Sequence, residues 1–84
     1  MKKTELKVTR YEIDENFMVD VEIIESQNLV YFWLSHKDYA IKAFMFGLNK
    51  EDAPESEWAD LINTNIYTYM YFYMQDREKE EIDN

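Results

Sequence analysis

The stretch that decides the fold is WADLINTNIYTYMYFYM, residues 58–74. At about 100° per residue, a helix gathers Trp58, Leu61, Ile62, Ile66, Tyr69, Phe72 and Tyr73 into one stripe roughly 140° wide. Asn65 lies near the middle of that stripe, and Tyr67, Tyr71 and Met74 fall on the opposite side. A strand is the rival: from Ile66 onward, Ile66, Thr68, Met70, Phe72 and Met74 alternate with Tyr67, Tyr69, Tyr71 and Tyr73, and aromatic residues favour strands. The helix is preferred because its start signals lie upstream. Asp52 or Ala53 can cap it and Pro54 suits its first turn. Glu51, Asp52, Glu55 and Glu57 put negative charge where the helix dipole favours it. The pattern predicts a helix from about residue 54 to about residue 78.

Working back from there, Tyr39 to Leu48 (YAIKAFMFGL) reads either as a strand or as a short helix grouping Ile41, Phe44, Met45 and Leu48. Its aromatic content and lone Gly47 favour the strand. Leu29 to Leu34 (LVYFWL) is apolar on both sides, which places it centrally, covered from two sides, with Ser35, His36, Lys37 and Asp38 closing it. Phe17 to Glu25 alternates, Phe17, Val19, Val21 and Ile23 against Asp20 and Glu22 with Met18 and Ile24. Asp14-Glu15-Asn16 and Ser26-Gln27-Asn28 are turn chemistry. Residues 4–13 read as an edge strand whose Lys7 and Arg10 discourage stray pairing. The expected fold is α+β: an antiparallel meander of three to four strands, then one long C-terminal helix packed on one face. The other sheet face would remain open, an apolar patch that calls for a second copy or another partner.

With 84 residues the chain is expected to form one domain with one modest core. Its hydrophobic fraction of 46% is too high for a disordered chain. Residues 79–84 are expected to fray, because acids at a helix C-terminus oppose the dipole. Cysteine is absent, which removes disulfides and thiolate metal sites. No apolar run approaches the roughly 20 residues that cross a bilayer, and no hydrophobic signal segment follows the basic start, so a cytoplasmic location is expected.

Nothing in the sequence carries catalytic chemistry, so an enzyme is not expected. The single histidine, His36, reads as a surface turn residue, and its neighbour Ser35 is no nucleophile partner by adjacency alone. One glycine cannot make a phosphate loop. Asp14 with Glu15, and Asp20 with Glu22, could hold a hard cation, but no calcium-loop pattern surrounds them. They read as a solvated turn and strand face. No cofactor is expected. Trp33 and Trp58 read as core. Asn65, a polar amide in an apolar stripe, must find a hydrogen-bond partner, either at a sheet edge or across an interface.

Charge carries the rest. The net charge is −9, with six acids and no base in residues 11–25 and ten acids against Arg77 and Lys79 in residues 51–84. Such a balance opposes direct nucleic-acid binding, because phosphates need Lys and Arg. It favours a basic protein surface. The candidate contacts are Asp14, Glu15, Asp20 and Glu22 in the first acidic segment, and Glu51, Asp52, Glu55, Glu57 and Asp60 in the second. Tyr67 and Tyr71 would serve as rigid anchors. In size, acidity, aromatic richness and lack of catalytic residues, the chain resembles the small anti-defence proteins of phages and mobile elements, including anti-CRISPR and anti-restriction DNA mimics. That resemblance, one of class and without a shared motif, implies an inhibitor that docks where a nucleic-acid enzyme holds its substrate. A non-catalytic homo-oligomer, associating through the aromatic sheet face or the helix face, is the alternative.

Overall fold

A computed structural model describes residues 7–82, with side chains to residue 78. Four antiparallel strands follow one another, β1 (Lys7–Glu12), β2 (Phe17–Ile24), β3 (Leu29–His36) and β4 (Tyr39–Asn49), in sheet order β1-β2-β3-β4. One helix, α1 (Trp58–Ile82), closes the chain. The alternatives left open by periodicity are therefore settled, residues 39–49 as strand and residues 66–74 as helix. The outer parts of the expected first strand, residues 4–6, lie outside the described residues. So do the side chains of the tail at 79–84, although the helix backbone is continuous to Ile82.

Each hairpin register follows from its turn. Asp14 Oδ1 accepts the backbone N–H groups of Asn16 and Phe17, both at 2.8 Å. That turn, centred on Glu15, brings Arg10 opposite Asp20 and Tyr11 opposite Val19. The second turn is a single 3₁₀ turn, Glu25–Gln27, closed by Asn28 in the left-handed region at φ 58°. Asparagine tolerates that conformation better than most side chains. It sets Val21 opposite Phe32 and Asp20 opposite Trp33. β3 runs two residues longer than its apolar run, because Ser35 and His36 pair with Met18 and Phe17. Only Lys37 and Asp38 remain to turn into β4.

The core lies between one sheet face and α1. Val19, Val21, Phe32 and Leu34 are wholly buried there, with Val30, Trp58, Ile62 and Ile66 nearly so. α1 begins later than its sequence signals suggest. Two 3₁₀ turns, Lys50–Asp52 and Glu55–Glu57, precede it, and Pro54 stays extended at ψ 149°. The cause is local burial: Ala53 is 2% exposed, and the Trp58 indole N–H donates to its carbonyl at 2.7 Å. A helix started at Pro54 would carry Ala53 away from that contact.

The apolar stripe of α1 also drifts. Trp58, Ile62, Ile66 and Tyr73 are buried, and Met70 and Met74 pack beside them, but Phe72, expected in the stripe, is exposed. A straight helix crossing a twisted sheet changes its contact line along its length. Asn65 needs neither sheet nor partner, since its amide donates to the Leu61 carbonyl one turn back at 2.8 Å. His36 is buried rather than a surface turn residue. Phe17 meets it edge-on at 4.7 Å, Tyr39 lies at 5.0 Å and Tyr73 at 6.3 Å, and its Nδ1 accepts the Asp38 N–H at 3.1 Å.

Candidate interaction surfaces

Alternation puts a second set of residues on the sheet face that α1 leaves open. Arg10, Asp20, Trp33 and Phe44 stand side by side across all four strands, and Val8, Glu22, Tyr31 and Gly47 form the next row. At one end of the face lie Glu12, Met18 and Ser35, at the other Ile24 and Leu29. A bulge between the Phe32–Phe46 and Trp33–Phe44 pairs inserts Met45, which turns inward to 5% exposure and leaves Phe44 outside.

Asp20 dominates this face. Its carboxylate takes Arg10 in a two-pronged bond, Nε to Oδ1 at 2.8 Å and Nη2 to Oδ2 at 3.0 Å. Lys42 Nζ reaches Oδ2 at 2.7 Å. The Asp20 side chain is only 3% exposed, whereas those of Arg10 and Lys42 are 54% and 47% exposed. The charged heads of the two cations thus close over the acid while their side chains stay about half exposed. The Arg10 hydrogen bonds hold the Asp20 carboxyl below its ordinary value, with Lys42 adding to the effect against the penalty of burial. The same bonds raise Arg10.

Beside this ion cluster the face is aromatic. Phe44 meets Tyr31 at 5.4 Å and Trp33 at 5.2 Å, both edge-on, and Trp33 donates its indole N–H to Glu22 Oε1 at 3.1 Å. One edge of the Tyr31 ring lies against Gly47, so that a Cβ there would meet its Cδ1 at 2.7 Å. Val8, Asp20, Glu22, Trp33 and Lys42 line a shallow cleft of ~230 Å³.

Two of the expected contact acids are therefore already engaged. Asp20 is not an exposed carboxylate, because Arg10 and Lys42 close over it, and Glu22 is half-buried against the Trp33 indole. The remaining acids divide between the ends of the sheet. Asp14 and Glu15 sit at the end where Lys37 N–H bonds to the Asn16 carbonyl at 2.9 Å. The bonds from two backbone N–H groups lower the Asp14 pKa. Glu51, Asp52, Glu55, Glu57 and Asp60, all exposed, sit at the other end, where Lys50 N–H bonds to the Asn28 carbonyl at 3.1 Å. Eight strand residues, about 26 Å, separate the two groups.

At the second end Lys50 is already bound to Glu25 at 2.7 Å, and the Asn28 amide donates to Glu51 at 2.7 Å. Among the described residues, no Lys or Arg side chain forms an ion pair with Asp52, Glu55, Glu57 or Asp60. Asp60 opens α1 on the side that also carries Thr64, Tyr67 and Tyr71. Tyr67 is 78% exposed and Tyr71 61%, with Phe72 against Tyr71 at 5.8 Å and the Gln75 amide donating to the Tyr71 hydroxyl at 2.8 Å. Asp60 and the exposed tyrosines thus share one side of α1, whose first turn follows directly on the exposed acids Glu55 and Glu57.

The contribution of Arg10 and Lys42 escaped the reading of single segments. A signal for half of it existed, since a turn centred on Glu15 pairs residue 10 with residue 20. Among the described residues, no group of three or more His, Asp or Glu side chains could hold a metal ion, and no helix is long and apolar enough to cross a membrane. No protein-family model, curated protein or solved structure matches the chain.

Proposed function

We propose that the chain is a non-catalytic protein-binding inhibitor that docks, by its acidic end and the exposed side of α1, on a basic surface that otherwise holds nucleic acid. The observation that carries this reading is the run of exposed acids Glu51, Asp52, Glu55 and Glu57 leading into α1, on which Asp60 shares a side with the exposed Tyr67 and Tyr71. Fixed carboxylates can take the positions of phosphates on Lys and Arg, and their field accelerates the encounter. The tyrosines supply rigid contact area. Asp20 and Glu22 fall out of this surface because they are engaged on the sheet. Asp14 and Glu15 join it only for a partner broad enough to span both ends. Charge mimicry of this kind is the one implied by the resemblance to anti-CRISPR and anti-restriction proteins.

The test is capture from lysate on the immobilised protein, compared with a variant carrying Asp52→Asn, Glu55→Gln, Glu57→Gln and Asp60→Asn. Proteins held by the wild type are expected to elute with added duplex DNA or RNA and with rising salt. The neutralised variant is expected to bind them about tenfold more weakly or worse. Equal retention by both forms, or retention insensitive to nucleic acid, would refute the reading.

A further inference from the structure

The open sheet face differs in charge from the rest of the molecule. The chain as a whole carries −9, yet on this face Arg10 and Lys42 stand against Glu12, Asp20 and Glu22, so local charge is close to balanced. The face also exposes Val8 and Phe44, with Met18, Ile24, Leu29, Tyr31 and Trp33 partly open and outside the core cluster. A basic partner gains little here, because the two cations offset most of the charge of the acids. Two strongly acidic chains, by contrast, can meet here with little mutual repulsion. We propose that this face is a two-fold interface between two copies of the chain.

The register supplies the complementarity. Rotation by 180° about an axis parallel to the strands and between β2 and β3 lays β1 of one copy over β4 of the other. Rows are preserved in that arrangement. Glu12 then faces the part of β4 next to Ala43 that carries Lys42 in the second copy, Arg10 faces the ring of Phe44, Val8 faces the Tyr31 ring that covers Gly47, and Ile24 faces Leu29. Each contact occurs twice, as two-fold symmetry requires. An ion pair, a cation over an aromatic face and two apolar contacts all arise from one rotation. Asp20 contributes by holding Arg10 and Lys42 in place before the second copy arrives. Rotation of the two sheets by roughly 30°, usual for aligned packing, stays within the reach of these long side chains.

Other parts of the sheet are closed to such an encounter. The β1 edge carries Lys7 and Arg10, and β4 is broken by the Met45 bulge and capped where the Tyr73 hydroxyl donates to the Ile41 carbonyl at 2.7 Å. Both are devices that blunt an edge against pairing. The face itself, four strands wide and about eight residues long, covers roughly 500 Å² in plan. Two such faces fall at the low end for a specific interface, so a dimer dissociating at tens of micromolar is expected rather than an obligate one.

Sedimentation equilibrium from about 1 µM to about 500 µM tests this directly. The wild type is expected to pass from monomer to dimer over that range. Phe44→Asp should move the midpoint upward by at least about tenfold, and Glu12→Lys, which sets like charges on Lys42, should do the same. Should Phe44→Asp fail to unfold cooperatively, Val8→Lys on the exposed edge strand decides in its place. Tyr67→Ser with Tyr71→Ser should leave the midpoint unchanged. A wild type that stays monomeric throughout overturns the proposal. A dimer untouched by the face variants, or one dissolved by the tyrosine changes, does so too.

Discussion

The two faces of the sheet are made by the same strands and buried by different physics. Val19 and Val21 point at α1 and are wholly buried among apolar side chains. Asp20, between them in sequence, points the other way and is just as hidden, under an arginine and a lysine. The covered face gains from removal of apolar surface from water. The open face is held by charged hydrogen bonds and edge-on aromatic contacts, and it keeps Val8 and Phe44 in solvent. Low exposure alone therefore does not mark the core. What lies over the side chain does.

The comparison breaks most visibly on the covered side. Phe32→Ala should cost about 3–5 kcal/mol in chemical denaturation, because Phe32 is wholly buried and stacked on Phe46 at 4.6 Å. A loss near 1 kcal/mol would show that the core is looser than its burial implies.

Asp20→Asn sharpens the contrast. Its cost should be smaller, about 1–3 kcal/mol, since the freed Arg10 and Lys42 can return to water. The pH dependence follows from the lowered carboxyl. Because the folded value lies below the unfolded one, the Asp20 contribution is complete above about pH 4 and falls away as acid carries the pH toward the folded value. The variant should therefore show a flatter acid limb in urea unfolding below pH 4, and an unchanged limb would contradict the assignment.

Gly47→Ala comes next, at about 1–2 kcal/mol, because the new methyl group must displace the Tyr31 ring. Thermal melting measures it, and a neutral result would show that Tyr31 moves freely. Tyr67→Ser with Tyr71→Ser should change stability by less than about 0.5 kcal/mol per site, since both rings are largely in solvent. A larger loss would return both tyrosines to the core.

Much of this division was legible in the sequence. Strict alternation in Phe17 to Ile24 assigned its two sides, and the start signals between Asp52 and Glu57 favoured helix over strand for the tyrosine-rich run. What escaped is non-local. The acid at residue 20 reads as solvated until Arg10 and Lys42 arrive from the two edge strands, and the bulge that directs Phe44 outward depends on sheet pairing. His36 reads as a turn residue until Phe17, Tyr39 and Tyr73 enclose it from three elements. The candidate acids were legible as residues but not as a surface. Their separation into two sheet ends follows from strand lengths, and the side that Asp60 shares with Tyr67 follows from the place of both in α1.

The most direct measurement sets one residue from each side in parallel urea unfolding at low micromolar concentration, Ile62→Ala against Phe44→Ala. Ile62, at 1% exposure in the centre of the core, should cost about 2–5 kcal/mol on truncation. Phe44, at 49% exposure with two edge-on ring contacts, should cost about 1 kcal/mol. Equal losses would contradict the claim that stability resides on the covered face and that the open face is free to dock.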